Sequence, residues 1–461
     1  MLLERLYDED LSQASYFVGC QQAGEAIVID PRRDIAEYQR LASRNNLRIT
    51  AVVETHIHAD YLSGTRELAA ATEAEVYLSG EGGEDWQYAF DGKRLYDGDI
   101  ITIGNLGLTA LHTPGHTPEH LSFLLTDRAV SNQPGYLFSG DFVLVGDLGR
   151  PDLLDEAAGG TDTRYEGARQ LFCSLREKLL TLPDYVQIYP AHGSGSACGR
   201  ALGSVPSTTV GYERRFSWWG RHLDADDESQ FVIELLAGQA DAPAYFGRMK
   251  RQNRNGPQVL GPRPELTELD ADSVERGLRT GALIFIDSRD PAEVHQGTVC
   301  GSLNIPATGK PASYSAWAYD PESEVSELVL LAENREAAQY LRNHLVRVGI
   351  DGVRGYVTSL AGLPPCLPET IDPAELDALD YALLLDVRNL SEYQAGTIPG
   401  ARQLSAGKVL WHQDQLPRAG TIVSFCQGGV RNSVAASTLR RAGHRVVELE
   451  GSYAAWLGAQ Q

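Results

Sequence analysis

Six of the eleven histidines (His56, His58, His112, His116, His120 and His192) fall in one stretch of the first half of the chain. The apolar run Ile49-Thr50-Ala51-Val52-Val53-Glu54 leads into Thr55-His56-Ile57-His58-Ala59-Asp60-Tyr61. Strand alternation puts His56 and His58 on one side, and Asp60 follows at the same period. A second loop supplies His112-Thr113-Pro114-Gly115-His116-Thr117, where Gly115 allows a tight turn that brings His116 to the first loop. Ser139-Gly140-Asp141 and Pro190-Ala191-His192-Gly193 each close a further strand-like run. Imidazoles and carboxylates presented by four strand-end loops form the pattern of a metal site. His120 and His222 read as ordinary core or surface histidines.

A second chemistry belongs to sulfur. Thr421-Ile422-Val423-Ser424-Phe425 ends at Cys426, followed by Gln427-Gly428-Gly429-Val430-Arg431-Asn432 and a helical pattern from Ser433 to Arg441. Loop amides, a helix N-terminus and the charge of Arg431 stabilise a thiolate there, and would equally stabilise a persulfide anion. Cys198 lies in the Gly/Ser-rich loop Gly193–Gly199, six residues after His192. It is either a thiol brought beside a metal loop or a small loop residue.

The elements needed to position these groups are legible in part. Strands are expected at 15–20, 26–30, 49–54, 75–78, 100–103, 108–112, 122–125, 135–140 and 186–189. Helices are expected at 65–72, 163–180 and 228–237. The basic, Gly/Pro-punctuated segment Arg248–Pro264 reads as a linker. Beyond it the chain repeats itself. Asp287, Arg289, Glu293, Gly297, Thr298 and Gly301 recur 99 residues later as Asp386, Arg388, Glu392, Gly396, Thr397 and Gly400. Val329, Leu345 and Gly349 recur 94 residues later as Val423, Leu439 and Gly443. The second offset places Ala332 at the position of Cys426 and Ala337 at that of Arg431, with Glu333 and Glu336 making the loop acidic. The first copy is therefore expected to be inactive, and Cys300, offset from the loop, reads as structural. The expected domains are 1–261, 265–363 and 369–461, with the Pro-rich join Leu363–Pro368 between the two copies.

Composition bounds the rest. At roughly 150 residues per domain, 461 residues suggest about three domains. Acidic residues number 62 against 40 basic ones, a net charge of -22 that disfavours nucleic acid as a partner. No apolar run is long enough for a membrane helix, and Met1–Asp10 lacks the build of a signal peptide. Six cysteines without a C-x-x-C pair suit a reducing, cytoplasmic setting.

With these motifs in place, the first block resembles the metallo-β-lactamase fold, an αβ/βα sandwich. Dizinc hydrolases of that superfamily carry His where Tyr61 stands. The pattern is more similar to the iron-dependent persulfide dioxygenases. That resemblance implies one Fe(II) per chain held by His56, His116 and Asp141, with His58, Asp60 and His192 orienting ligands or water. A cysteine near position 198 is functionally placed in related multidomain members. The stretch Asp147–Asp152 also resembles that branch and reads as either a structural turn or a substrate contact. The repeat resembles rhodanese, with Asp386-Val387-Arg388, Glu392 and Ile398-Pro399-Gly400-Ala401 carrying its upstream signature. The expected activity is oxidation of a low-molecular-weight persulfide by O₂ to sulfite and thiol. It is coupled to sulfur transfer through Cys426 that forms or uses thiosulfate. The rivals are a zinc thioester hydrolase of glyoxalase II type and a sulfur carrier without turnover. Neither the persulfide's thiol nor the oligomeric state is written in the sequence; a homo-oligomer stays open.

Overall fold

The computed structural model describes residues 1–156, 162–200 and 202–460, so Gln461, the expected end of the last domain, lies outside it. Two compact units divide the chain: Met1–Ala242 with Phe246–Pro262, and Pro243–Tyr245 with Arg263–Gln461.

The first unit contains two six-stranded sheets. One has the order β1 (Leu2–Asp8), β2 (Gln13–Cys20), β3 (Glu25–Ile29), β4 (Arg48–Val53), β5 (Glu75–Ser79), β6 (Lys93–Leu95). The other comprises β7 (Ile100–Ile103), β8 (Leu106–His112), β9 (Leu121–Asp127), β10 (Tyr136–Gly140), β11 (Gln187–Pro190) and β12 (Thr208–Thr209), again neighbouring in chain order. The central strands are buried on both faces and read as continuous apolar runs, whereas the edge strand β7 alternates exposed and buried residues. Parity still sorts the side chains. Tyr16, Val18, Ile27, Ile29, Leu108, Ala110 and Phe138 meet in the core between the sheets. Phe17, Ala26 and Val28 face the layer holding Tyr38, Ala42 and Leu68. Leu137 joins Leu171, Phe172, Trp219 and Phe231 on the outer side of the second sheet. This is a four-layer αβ/βα sandwich. Truncating a large buried side chain such as Phe138 to Ala would cost about 3–5 kcal/mol.

The segment Arg248–Pro264, expected to be a linker, is not one. Phe246–Asn255 is a helix that buries Phe246, Met249 and Asn253. The backbone after it is tied down by Arg66, which donates to the carbonyls of Gly256 and Pro257, and by Glu67, which accepts from the amides of Leu260 and Gly261. Only three apolar or amide positions, one and two turns apart, mark the buried face, and the surrounding Arg and Lys residues masked it.

The second unit holds two parallel sheets of one topology. The strands are β13 (Leu283–Asp287), β14 (Thr298–Val299), β15 (Leu303–Asn304), β16 (Glu327–Leu331), β17 (Val353–Val357), β18 (Pro365–Cys366), β19 (Glu369–Ile371), β20 (Leu383–Asp386), β21 (Arg402–Gln403), β22 (Thr421–Phe425) and β23 (Arg445–Leu449). The first sheet runs β15-β13-β16-β17 and the second β21-β20-β22-β23-β19. A parallel bridge between Glu268 and Tyr356 stands where β19 pairs with β23, completing the correspondence. Strands β14 and β18 form a small antiparallel ladder at the join.

Candidate functional site

The strands β4, β8, β10 and β11 deliver their loops to one end of the sandwich. His56, His116 and Asp141 are buried, and one ligand atom from each lies within 4.8 Å of the others. Asp141 Oδ2 stands 3.4 Å from His116 Nε2 and 3.9 Å from His56 Nε2. It is buried without a hydrogen-bond partner.

The surroundings settle which nitrogens face the centre. His116 Nδ1 donates to the carbonyl of Arg150 at 3.0 Å. Thr55 Oγ1 donates to Asp30 Oδ2 at 2.7 Å, so His56 Nδ1 must donate to Thr55 Oγ1, 2.9 Å away. Both rings are therefore left with unprotonated Nε2 atoms aimed at Asp141. Burial, followed by neighbouring imidazoles, holds His56 well below the ordinary histidine range, and burial also lowers His116. Asp141 stays ionised despite burial, held well below the carboxylate range first by His192. Two neutral imidazoles and an ionised carboxylate with an unpaired oxygen fit a divalent transition metal.

His192 bridges two carboxylates: Nδ1 donates to Asp141 Oδ1 at 2.6 Å and Nε2 to Asp60 Oδ2 at 2.9 Å. Asp60 and His192 thus sit as orienting groups beside the trio. Cys198 shares their cluster. Burial pushes its thiol up to about 12, against the pull of His192, so it stands there protonated. His58 is placed differently. Its Nε2 lies 3.2 Å from both Asp30 Oδ1 and Glu54 Oε2. Burial opposes its charge, yet Asp30 and Glu54 push its pKa up to about 10. It is an imidazolium turned away from Asp141. Tyr61 is buried too, with its hydroxyl donating to the Asp30 carbonyl at 3.2 Å. His112 ties its own loop, donating from Nε2 to the Pro118 carbonyl at 2.8 Å.

Two contributors escaped the sequence reading, and a third, Arg150, was singled out there only as part of a longer stretch. His120, expected to be an ordinary histidine, accepts the Asp141 amide proton on Nε2 at 3.0 Å and faces Thr113 Oγ1 through Nδ1 at 2.9 Å. Gly140 turns at φ +54°, and a Cβ there would meet His120 Nε2 at 2.5 Å. Asn253 donates to the carbonyls of His58 at 2.8 Å and Tyr61 at 2.7 Å, holding the histidine loop from the misread helix. Arg150, within Asp147–Asp152, orients His116 through its carbonyl; its guanidinium pairs with Asp152 and donates to the Ala197 carbonyl. These bonds tie that stretch to the His116 loop and to the loop carrying Cys198. A narrow cavity reaches His116 between Ile57, Trp86, Leu153 and Leu154, with Lys250 on its wall. Lys250 lies 3.4 Å from the Trp86 ring centroid, and burial lowers its pKa to about 8 against the pull of Glu119.

In the second unit, Cys426 is buried at the end of β22, and helix Val430–Arg441 follows. The Gly429 amide donates to Cys426 Sγ at 3.1 Å, where Gly429 adopts φ +106°. Ser452 Oγ lies 3.9 Å from the sulfur. Arg431 is gripped by Glu392 through bonds of 2.6 and 2.8 Å, so the carboxylate shares the charge expected to serve the thiol. In the first copy, Ala332 and Asn334 occupy the corresponding turn, and Asn334 caps the next helix by accepting from Ala337 N at 2.9 Å.

Known proteins match both parts. Residues 8–192 match the metallo-beta-lactamase superfamily and residues 372–459 the rhodanese-like domain. The mitochondrial persulfide dioxygenase ETHE1 of Bos taurus is 30% identical over 196 residues, covering 42% of this chain and 68% of that protein. A hydroxyacylglutathione hydrolase of Nitrosococcus oceani is 31% identical over 194 residues, covering 42% and 66%. The crystal structure of a metallo-beta-lactamase from Staphylococcus aureus aligns with a TM-score of 0.67 at 36% identity, covering 77% of this chain and 98% of that one. Fold and site together define a metallo-β-lactamase-type enzyme carrying a rhodanese-like unit. Within that class, the chain belongs to the persulfide dioxygenase family.

Proposed function

We propose that this chain oxidises a low-molecular-weight persulfide with O₂ and moves sulfane sulfur through Cys426. The balance is R-S-SH + O₂ + H₂O → R-SH + SO₃²⁻ + 2H⁺. One Fe(II) per chain would be held by His56, His116 and Asp141, three donors on one face. Bound there, iron supplies the one-electron chemistry that lets O₂ react with a closed-shell sulfur compound. His116 and His56 present lone pairs because Arg150 and Thr55 take their other ring protons. His192 holds Asp141 in register, and Asp60 holds His192. The apolar cavity beside His116 would exclude water from the persulfide, and the Lys250 ammonium on its wall would favour an anionic substrate. Cys198 would stand near the reacting sulfur as a protonated thiol. In the second unit, sulfite attack on a Cys426 persulfide gives thiosulfate and returns the Cys426 thiolate; the reverse reaction uses thiosulfate.

The division into 1–261, an inactive rhodanese-like 265–363 and an active 369–461 follows the same reading, as does a reducing, cytoplasmic setting for six free cysteines. No described helix is long and apolar enough to cross a membrane.

The observation that carries the proposal is the buried, unpaired Asp141 Oδ2 facing two Nε2 atoms. The test is an oxygen-electrode assay of iron-loaded protein with a panel of persulfides, with sulfite and thiosulfate measured together. His116→Ala should lose iron and O₂ uptake entirely while retaining transfer at Cys426; retention of iron and uptake would refute its role. The hydrolase relative keeps a second reading alive, a zinc thioester hydrolase. Bound zinc with thioester hydrolysis and no O₂ uptake would establish it instead. Tyr61, bonded to Asp30 where dizinc hydrolases have a ligand, favours the dioxygenase.

A further inference from the structure

Cys300 and Cys366 lie 66 positions apart in sequence, one after β14 and one at the end of β18. The antiparallel ladder sets Thr298 opposite Cys366 and Val299 opposite Pro365. The Cys300 amide continues it by donating to the Pro364 carbonyl at 3.1 Å. Cys300 and Cys366 are thus diagonal neighbours on the same face of the ladder. Cys300 Sγ donates to the Pro365 carbonyl at 3.1 Å, which holds the sulfur over β18. Burial raises the Cys300 pKa, and so does a side-chain hydrogen bond with the Cys366 thiol. The two side chains therefore lie on one face of the ladder, near enough to interact. Cys300 is exposed and Cys366 partly so, within reach of a small solute. Diagonal cross-strand Cα atoms lie about 7–8 Å apart, slightly beyond the usual disulfide span. A ladder of two residues per strand, next to the Pro-rich join, can close that gap with a small backbone shift.

We infer that Cys300 and Cys366 form a dithiol that accepts sulfane sulfur from a low-molecular-weight persulfide and releases it as H₂S by closing a disulfide. The inference rests on the substrate class proposed above. The Cys300 thiolate attacks the outer sulfur of R-S-SH; the donor S–S bond breaks and R-S⁻ leaves with the Cys300 proton. The Cys366 thiolate then attacks the Cys300 sulfur and expels HS⁻, which takes the Cys366 proton. The sum is 2 Cys-SH + R-S-SH → Cys-S-S-Cys + R-SH + H₂S. The two protein thiols are oxidised and the persulfide is reduced, so no other oxidant is needed. The copy that has lost its loop thiol at Ala332 thereby retains a sulfur-handling site at its join. The disulfide would fasten that join to β14.

The test incubates the full chain, carrying Cys426→Ser, with glutathione persulfide. Released sulfide is measured, and non-reduced proteolytic peptides are mapped by mass spectrometry. The expected result is a linked peptide containing Cys300 and Cys366, lighter by two hydrogens than the sum of its parts. Sulfide release should accompany it, and both signals should vanish in Cys300→Ser and in Cys366→Ser. Recovery of the two peptides unlinked, whether reduced or separately persulfidated, overturns the inference. O₂ uptake is recorded on the same iron-loaded samples. Linkage without O₂ uptake would remove the dioxygenase reading alone, and O₂ uptake without linkage would remove the dithiol alone.

Discussion

The two copies in the second unit share a clamp almost bond for bond. In the first, Arg289 Nη2 donates to Asp287 Oδ2 at 2.6 Å and to the Gly297 carbonyl at 2.7 Å, while Thr298 donates to Asp287 at 2.7 Å. In the second, Arg388 Nη2 reaches Asp386 at 2.7 Å and the Gly396 carbonyl at 2.7 Å, and Thr397 reaches Asp386 at 2.8 Å. The copies part at the end of the central strand, where one has Ala332 and the other Cys426. They also differ around the arginine: Arg388 is covered by the Tyr453 ring, 4.0 Å from its centroid, whereas Arg289 keeps about a quarter of its side chain exposed. The Asp–Arg–Thr clamp therefore serves the frame, which needs it with or without chemistry. The thiol loop is a separable feature that the fold survives without.

The sharpest way to break this comparison is to move the thiol. Cys426→Ser should abolish thiosulfate formation from persulfide and sulfite while leaving O₂ uptake intact. Adding Ala332→Cys to that variant should not restore transfer, because Glu333 and Glu336 replace the Gly-rich turn with negative charge that disfavours a thiolate. Restored thiosulfate formation would mean that the first copy's frame alone makes a working site. If transfer persists in Cys426→Ser by itself, Cys198 becomes the candidate carrier.

A smaller effect tests the clamp. Arg388→Ala leaves a buried Asp386 carboxylate unpaired, which should cost about 3–5 kcal/mol in denaturant unfolding. Arg289→Ala should cost measurably less, since water can reach part of that site. Equal losses would show that the Tyr453 cover is irrelevant.

The smallest effect probes how the copies lean on each other. Asn304, at the end of β15, donates its backbone N–H to Ser437 Oγ at 3.0 Å and accepts from Ser433 Oγ at 2.6 Å on its side-chain Oδ1, the bond an alanine would remove. Both serines lie on the helix that opens from the Cys426 loop. Asn304→Ala should cost about 1–3 kcal/mol in stability and lower the transfer rate without changing O₂ uptake. An unchanged rate and stability would deny the inactive copy this supporting part.

Much of the architecture was legible from sequence. The helix Thr65–Thr72 and the strand Ile100–Ile103 were placed to the residue, and the offsets of 99 and 94 announced the doubled unit before its sheets were seen. The helix Phe246–Asn255 was not, because its three buried apolar or amide positions are outnumbered by charge, one buried position is itself Arg248, and its packing partner lies far earlier in the chain. The candidate site divides in the same way. His56, His116, Asp141 and Cys426 sit in motifs a few residues long, where strand period, a glycine turn and a helix start dictate what a side chain can face. Sequence alone therefore determined which donor types gather at the strand ends and which copy keeps a thiol. Tertiary structure decided their states. His58 became an imidazolium because Asp30 and Glu54 close on it, His56 stayed neutral because burial and neighbouring imidazoles deny it a proton, and Asp141 kept one oxygen unpaired because His192 takes only Oδ1 while His120 fixes the backbone amide. Cys300 and Cys366 became neighbours only through a ladder across the join. Protonation and pairing depend on distances between residues tens to hundreds of positions apart, and only the packed chain sets those distances.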